Sequence, residues 1–345
     1  MRPALSILDQ STIAEGRGAD AAIRESMALA QLADGLGYAR YWLAEHHNSA
    51  SHAGSAPEIL MAAIAATTQR IRIGSAGVML PHYAALKVAE QFRVLEAIAP
   101  GRIDLGVGRA PGSDGRTAFA LNPNADQAAD NFPNQVQDLM GWLGDGMPEG
   151  HPFRAVAANP AVPTRPEVWI LGSSDYGAQL AAYFGLPYCY AHFITDGRGA
   201  EQALALYRDT FRPHPGKPER LAAPHAAIAV YALTAATEAE AHRHYAPRAL
   251  WKLFRDQGVY PPLPSAEEAA AYPYTPDMLA RIERGRARAL VGTPESVAAR
   301  ITALAGDLDV QEVAVLTPCH DAEARRDSYR FLAAAMAMPA QSLAA

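Results

Sequence analysis

The stretch Arg40-Tyr41-Trp42-Leu43-Ala44-Glu45-His46-His47 changes from apolar to chemically active within a few residues. Its first five residues read as a short buried strand. Ser55-Ala56-Pro57-Glu58 then opens a helix, with Ser55 placed to cap it and Glu58 to complete a capping box. Two imidazoles therefore fall at a strand-to-helix junction, where α/β enzymes keep their chemistry. Adjacent histidines are often plain surface or packing residues, so the weight of Glu45-His46-His47 depends on what else converges on the same face.

Outward from this point the chain alternates. Leu5-Ser6-Ile7-Leu8 is a strand, followed by a helix from Ala19 to Leu36 that Gly37 stops. A helix from Ala56 to Thr68 comes next, then a strand Ile71–Ala76 that runs into Gly77-Val78-Met79-Leu80-Pro81. Val88, Phe92 and Leu95 mark the next helix, and Arg102–Val107 the fourth strand. A helix over 131–143 and a Pro/Gly-rich loop over 144–166 lead to strands Val168–Leu171, Tyr188–Ala191, Ala226–Tyr231 and Val313–Leu316, with helices over 175–184 and 200–211 between them. Eight short apolar strands separated by helices predict a (β/α)₈ TIM barrel, an α/β fold, rather than an open sheet. No Gly-x-Gly-x-x-Gly follows the first strand, which weighs against a dinucleotide-binding fold. The rhythm breaks once: roughly sixty residues separate the seventh strand from the helix near Pro294, too many for an ordinary connection. One domain over 1–345 is expected, with an insertion or lid at about 235–290 holding helices near 238–255 and 277–288.

Composition narrows the function classes. Of 345 residues, half are hydrophobic and 19% charged, enough apolar material for a large core. A formal net charge of −6, without a Lys/Arg-rich block, argues against nucleic acid as a partner. No apolar run approaches the ~18 residues of a membrane span, and no signal-peptide core is present, so no membrane partner is expected. Cys189 and Cys319 are isolated thiols on or just after strands; they fit a reducing cytoplasm and structural burial. His242 and His244 of the insertion read as solvated, and no metal site is expected.

Four groups meet at the carboxyl ends of the predicted strands. The second strand delivers His46 and His47. The third delivers Ser75-Ala76-Gly77, small residues that let a flat ligand approach the backbone. The fourth delivers Gly106-Val107-Gly108-Arg109-Ala110-Pro111-Gly112, a cation on a glycine-rich support, and the fifth delivers Gly172-Ser173-Ser174-Asp175-Tyr176-Gly177 at a helix start. Hydroxyls, unpaired backbone N–H groups and the positive end of a helix dipole suit a phosphate there. Each has a plainer reading: Arg109 can pair with Asp104 or Asp114, and Ser173-Ser174 can be an ordinary cap.

Together these segments resemble the bacterial luciferase-like flavin monooxygenase superfamily, nearest in pattern to single-chain relatives of the luciferase alpha subunit. The matching segments are Leu43–His47, Gly74–Pro81, Gly101–Gly112, Leu171–Ser174 with Gly185-Leu186-Pro187 downstream, and Val291–Val297. The resemblance implies reduced FMN at the strand ends, its phosphate held by Arg109 and the Ser173-Ser174 turn near Gly177. It also implies a non-proline cis peptide between Ala76 and Gly77, His46 as the catalytic proton-transfer residue, and His47 as its less critical neighbour. Where the luciferase alpha chain has Glu-Ser and a threonine hydroxyl, this chain has Ser173-Ser174 and Gly177, so a dissociable flavin supplied by a separate reductase is expected. The implied reaction joins O₂ to reduced FMN as a C4a-peroxyflavin, in a dry pocket under a lid, to oxidise an unidentified small organic substrate. Trp42, Tyr190 and His192, with His47, are the expected substrate-pocket residues. The helices over 56–68 and around Val88–Leu95 are expected to carry a homodimer contact. Competing readings are a deazaflavin-dependent hydride-transfer enzyme, a non-catalytic flavin-binding protein, and a metal hydrolase using His46, His47 and His52. Adjacent strand residues face opposite ways, which weighs against the last.

Overall fold

In the computed structural model, which describes residues 2–110, 114–214, 217 and 220–339, the apolar runs become nine parallel strands. They are β1 (Ala4–Asp9), β2 (Arg40–Leu43), β3 (Arg72–Met79), β4 (Ile103–Gly108), β5 (Glu167–Gly172), β6 (Tyr188–Tyr190), β7 (Ala226–Thr234), β8 (Leu290–Gly292) and β9 (Glu312–Leu316). Eight pair in the order β6-β5-β4-β3-β2-β1-β9-β7, and β6 pairs with β7 to close a barrel. Helices cover the outside, the (β/α)₈ architecture expected from the alternation. Pro111 and Gly112 of the glycine-rich segment lie outside the described residues.

β8 is a strand the periodicity did not separate. Its three residues pair only with the end of β7, Ala232–Thr234 against Leu290–Gly292. The insertion between β7 and β8 carries the helices Glu238–Arg255, Ala266–Ala271 and Pro276–Arg288. Two short helices, Gly115–Leu121 and Ala125–Asp130, also appear before Phe132–Met140, where the sequence offered too few apolar positions to mark a period.

The expected capping box at Ser55 does not form. The helix is Pro57–Ala65, and Ala56 holds the cap position without a side-chain bond. Pro57 at the first turn presets the helical φ and offers no N–H, so the helix starts without a hydroxyl cap. Glu58 instead accepts from Gln91 Nε2 at 3.2 Å, across to the helix Ala85–Ile98. A complete capping box does occur in the insertion, at Ser265 and Glu268.

Two layers fill the barrel below the strand ends. At one level Arg40 lies among Asp104 (2.8 Å), Glu312 (3.1 Å) and Glu167 (3.2 Å), its guanidinium 4.8 Å from the Trp169 ring. A buried cation with that many carboxylates is satisfied rather than stranded. An apolar layer packs with it: Leu8, Trp42, Trp169, Cys189, Ala229 and Leu316. Gly74 makes room for Trp42, since a Cβ there would lie 2.7 Å from the indole Cδ1. These layers leave the space above them, at the strand ends, for a site.

Candidate active site

A cavity of about 790 Å³ opens at the carboxyl ends of the strands. Its floor includes Leu8, Trp42 and Cys189, and its rim carries His46, His47, Ala76, Gly77, Arg109, Ser173, Ser174 and Gly177. The residues the sequence assigned to four separate strands thus meet in one space.

His46 follows β2, its backbone N–H donating to Gly54 O at 2.8 Å. Its ring stacks on that of His52, centroids 4.4 Å apart and planes 18° from parallel. A bridge between Thr12 and His52 pins the loop that brings the second imidazole back. His46 Nδ1 and His52 Nε2 are buried without a protein partner. Burial, helped by His47, lowers the His46 pKa to about 4. Burial, with His46 and Arg255 contributing, lowers that of His52 to about 3. Both rings are therefore neutral at physiological pH.

His47 points elsewhere. Its Nε2 lies 2.7 Å from Glu45 Oε1, and the same oxygen accepts from Tyr83 OH at 2.5 Å, while Glu45 Oε2 accepts from Met79 N–H at 3.1 Å. Burial and this bond raise the Tyr83 pKa above its ordinary value. Glu45 thus ties the ends of β2 and β3 together. Among the described residues no group of three His, Cys, Asp or Glu is arranged to hold a metal ion, and the divergence of His46 and His47 shows why this pair does not.

Behind the cavity, the Ala76-Gly77 peptide is cis, beside a register shift between Ser75 and Val78. A Cβ on Gly77 would lie 2.7 Å from Gly106 O and from Leu171 Cδ1, and one on Gly106 would lie 2.2 Å from Ser75 O. Only glycine allows β3 and β4 to approach this closely, which leaves a flat wall.

On a different wall, Arg109 lies with its guanidinium 4.1 Å from the Tyr176 ring centroid. Neither carboxylate that the plainer reading offered is its partner. Asp104 binds Arg40, Arg72 and Trp42 Nε1, and Asp114 caps Gly115–Leu121 and accepts from Asn48. Ser174 caps the helix Asp175–Phe184 by position but makes no side-chain cap bond, leaving its hydroxyl and the first N–H groups open to the cavity. A fixed cation facing a helix start with free donors fits a phosphate monoester such as that of FMN.

Two of the expected pocket residues are not there. Tyr190 is fully buried on the outer face of β6, its hydroxyl donating to Arg198 O at 2.6 Å. His192 lies in the short helix Ile194 shares, His192–Thr195, and does not line the cavity. For Tyr190 the reason is the pleat: Cys189 takes the inward position on β6, so its neighbours face out, whereas His192 lies beyond the strand in the helix. Trp42 does face inward, but as floor, with Nε1 donating to Asp104 at 2.9 Å.

Sequence reasoning missed the opposite wall. Trp251 and Arg255, from the insertion helix Glu238–Arg255, and Tyr260 after it all line the cavity. Trp251 meets His52 edge-on, centroids 5.8 Å apart, and donates through Nε1 to Pro261 O at 2.9 Å. Backbone pairing of Glu15 with Leu263 (2.8 Å) and the Lys252–Asp196 ion pair (3.0 Å) fasten the insertion over the barrel mouth. The aromatic pair Trp251 and Tyr260, close in sequence to a predicted helix end, was the available signal.

The chain matches the family model described as luciferase-like monooxygenase over residues 4–310. It is 45% identical to the uncharacterized protein YwcH of Bacillus subtilis over 96% of this chain and 99% of that one. It is 38% identical to the N-acetyl-S-alkylcysteine monooxygenase of the same organism, over 96% and 98% of the two chains. Among solved structures, apo-MsnO8 superposes with a TM-score of 0.87 at 38% identity, covering 99% of each chain. With a barrel, a strand-end cavity and a family match along nearly its whole length, the chain belongs to the luciferase-like monooxygenase family.

Proposed function

We propose that the protein is a monooxygenase that uses reduced FMN and O₂ to oxidise a small organic substrate, with the flavin supplied by a separate reductase. The observation that carries this reading is the combination, in one cavity, of Arg109 facing the Asp175–Phe184 helix start, a glycine-walled back and a neutral imidazole with an unpartnered nitrogen. Bound reduced FMN would supply the activation of oxygen. Arg109, Ser173 and Ser174 would hold its phosphate, and Ala76-Gly77 would back its ring.

The chain's own residues do the rest. His46, neutral at working pH, accepts a proton at Nδ1 and returns it. His52 stacks against it and fixes the ring plane, while Glu45 holds His47 away from the same position. Trp251 and Tyr260 cover the mouth and limit water, which protects oxygen chemistry from wasteful hydrolysis. The relative named for N-acetyl-S-alkylcysteines makes a thioether of that class the first substrate to try. Exposed Ile59, Val94 and Ile98, on the helices Pro57–Ala65 and Ala85–Ile98, support a homodimer through that face, which sedimentation at micromolar concentration tests. The buried, unpaired Cys189 and Cys319 suit a cytoplasmic setting.

Anaerobic titration with reduced FMN is the direct test. Wild type is expected to bind, and Arg109→Gln to bind about 10–100-fold more weakly, the scale of one charge-assisted contact. Adding ¹⁸O₂ and N-acetyl-S-methylcysteine should then place label in the product. A protein that ignores reduced FMN but binds a reduced deazaflavin would instead be a hydride-transfer enzyme.

A further inference from the structure

Charge in the cavity wall is distributed unevenly. Both carboxylates there are occupied, Glu45 by His47, Tyr83 and the Met79 N–H, and Asp114 by Asn48, Thr117 and its helix start. Among the described residues two guanidiniums line the same space, and only Arg109 is accounted for by the phosphate locus.

The other is Arg255, the last residue of the insertion helix Glu238–Arg255. It is half-buried, its guanidinium 5.6 Å from the Trp251 ring centroid, on the wall that carries His52. Its charge is near enough to help hold His52 in the neutral form. Each charged neighbour in sequence is engaged elsewhere: Asp256 accepts from Arg281 at 2.6 Å, and Lys252 pairs with Asp196 at 3.0 Å. Among the described residues no carboxylate reaches Arg255. A guanidinium beside an aromatic ring in a cavity wall, with no counter-ion of its own among the described residues, is a ready fork for a planar anion. The same cavity also carries apolar side chains, Trp251 and Phe193 among them.

We propose that Arg255 is a specificity-determining residue and that the substrate is a small organic carboxylate, its acid group on Arg255 and its apolar remainder against Trp251 and Phe193. This rests on the reading of the cavity as a flavin site whose phosphate lies at Arg109. One guanidinium then serves the cofactor and the other the substrate, on separate walls. A carboxylate anchored on the insertion also couples substrate binding to the element that covers the site.

The test uses the full-length protein and three acid and methyl-ester pairs: 4-phenylbutyrate, octanoate and N-acetyl-S-methylcysteine. Affinities are measured by calorimetry, anaerobically, with and without reduced FMN. At least one acid should bind about tenfold or more tightly than its ester, the scale of a charge-assisted contact. Arg255→Gln should erase that preference while leaving ester and reduced-FMN affinities unchanged, and Arg255→Lys should restore part of it. Circular dichroism confirms that the variants are folded. Absence of acid preference in all three pairs overturns the proposal, as does a preference that survives Arg255→Gln. So does an Arg255→Gln protein that loses reduced FMN as severely as Arg109→Gln. Acid preference that depends on Arg255 in a protein indifferent to flavin would refute the flavin reading alone, whereas FMN binding without acid preference would refute this inference alone.

Discussion

Protonation of the stacked imidazoles should destabilise the folded protein in mild acid. His46 has an ordinary pKa of 6.5 when exposed and about 4 in the folded chain, because burial penalises the charged ring and His47 adds to the effect. Well above pH 6.5 neither the folded nor the unfolded state binds the proton, and the stability is complete. As pH falls the unfolded chain protonates first, so stability drops, until the folded ring also protonates near pH 4. Linkage gives a loss from His46 of about 2 kcal/mol at pH 5 and about 3 kcal/mol at pH 4. His52, with its pKa lowered to about 3, acts with the same sign over a slightly wider window. Urea unfolding of wild type and His46→Gln between pH 7.5 and 5 reads the difference. The variant should lose about 2 kcal/mol less than wild type over that interval. Carbon-edited NMR of the His46 Cε1–H reads the ring directly and should show no titration between pH 5.5 and 8. A midpoint near 6.5, or the same acid loss in both proteins, would refute the argument from burial. The same neutrality leaves His46 Nδ1 free to accept a proton across the physiological range, as a weaker base than an exposed imidazole.

Other outcomes follow from particular contacts. Gly106→Ala forces a Cβ to 2.2 Å from Ser75 O and should cost about 1–3 kcal/mol or more. Gly306→Ala, in the helix Pro294–Asp307 with nothing within 4 Å, should be neutral or stabilise by up to about 1 kcal/mol; thermal melts of the two variants check both. Asp9→Asn removes the charge that accepts from Arg325 Nη2 (2.7 Å), Tyr41 OH (2.5 Å) and the Ser11 N–H (3.0 Å), all buried. It leaves Arg325 uncompensated and should cost about 3–5 kcal/mol, read as a lower urea midpoint.

Much of this molecule was legible in one dimension. Short, continuously apolar runs such as Val168–Leu171 are the mark of strands buried on both faces, and their spacing by helices leaves a closed parallel barrel as the economical solution. The residues at or just beyond the ends of those runs (His46, Ala76-Gly77, Arg109, Ser173-Ser174) meet at one mouth because parallel strands all end on the same side. That follows from topology, and needs no side-chain contact to be known.

What the chain order could not settle depended on phase and on distant contacts. Whether Cys189 or Tyr190 faces inward on β6 is fixed by the register with Leu171 and Ala227, and a shift of one residue exchanges them. The Ser55 cap failed because Pro57 had already set the start of its helix. His52 joins His46 only because the loop is pinned back on Thr12, and Trp251 and Arg255 reach the cavity only because residues far along the chain pair with Glu15 and Asp196. Local pattern determines which residues form strands and which side of the barrel holds the chemistry. Packing between segments tens to hundreds of residues apart decides which side chains close over it.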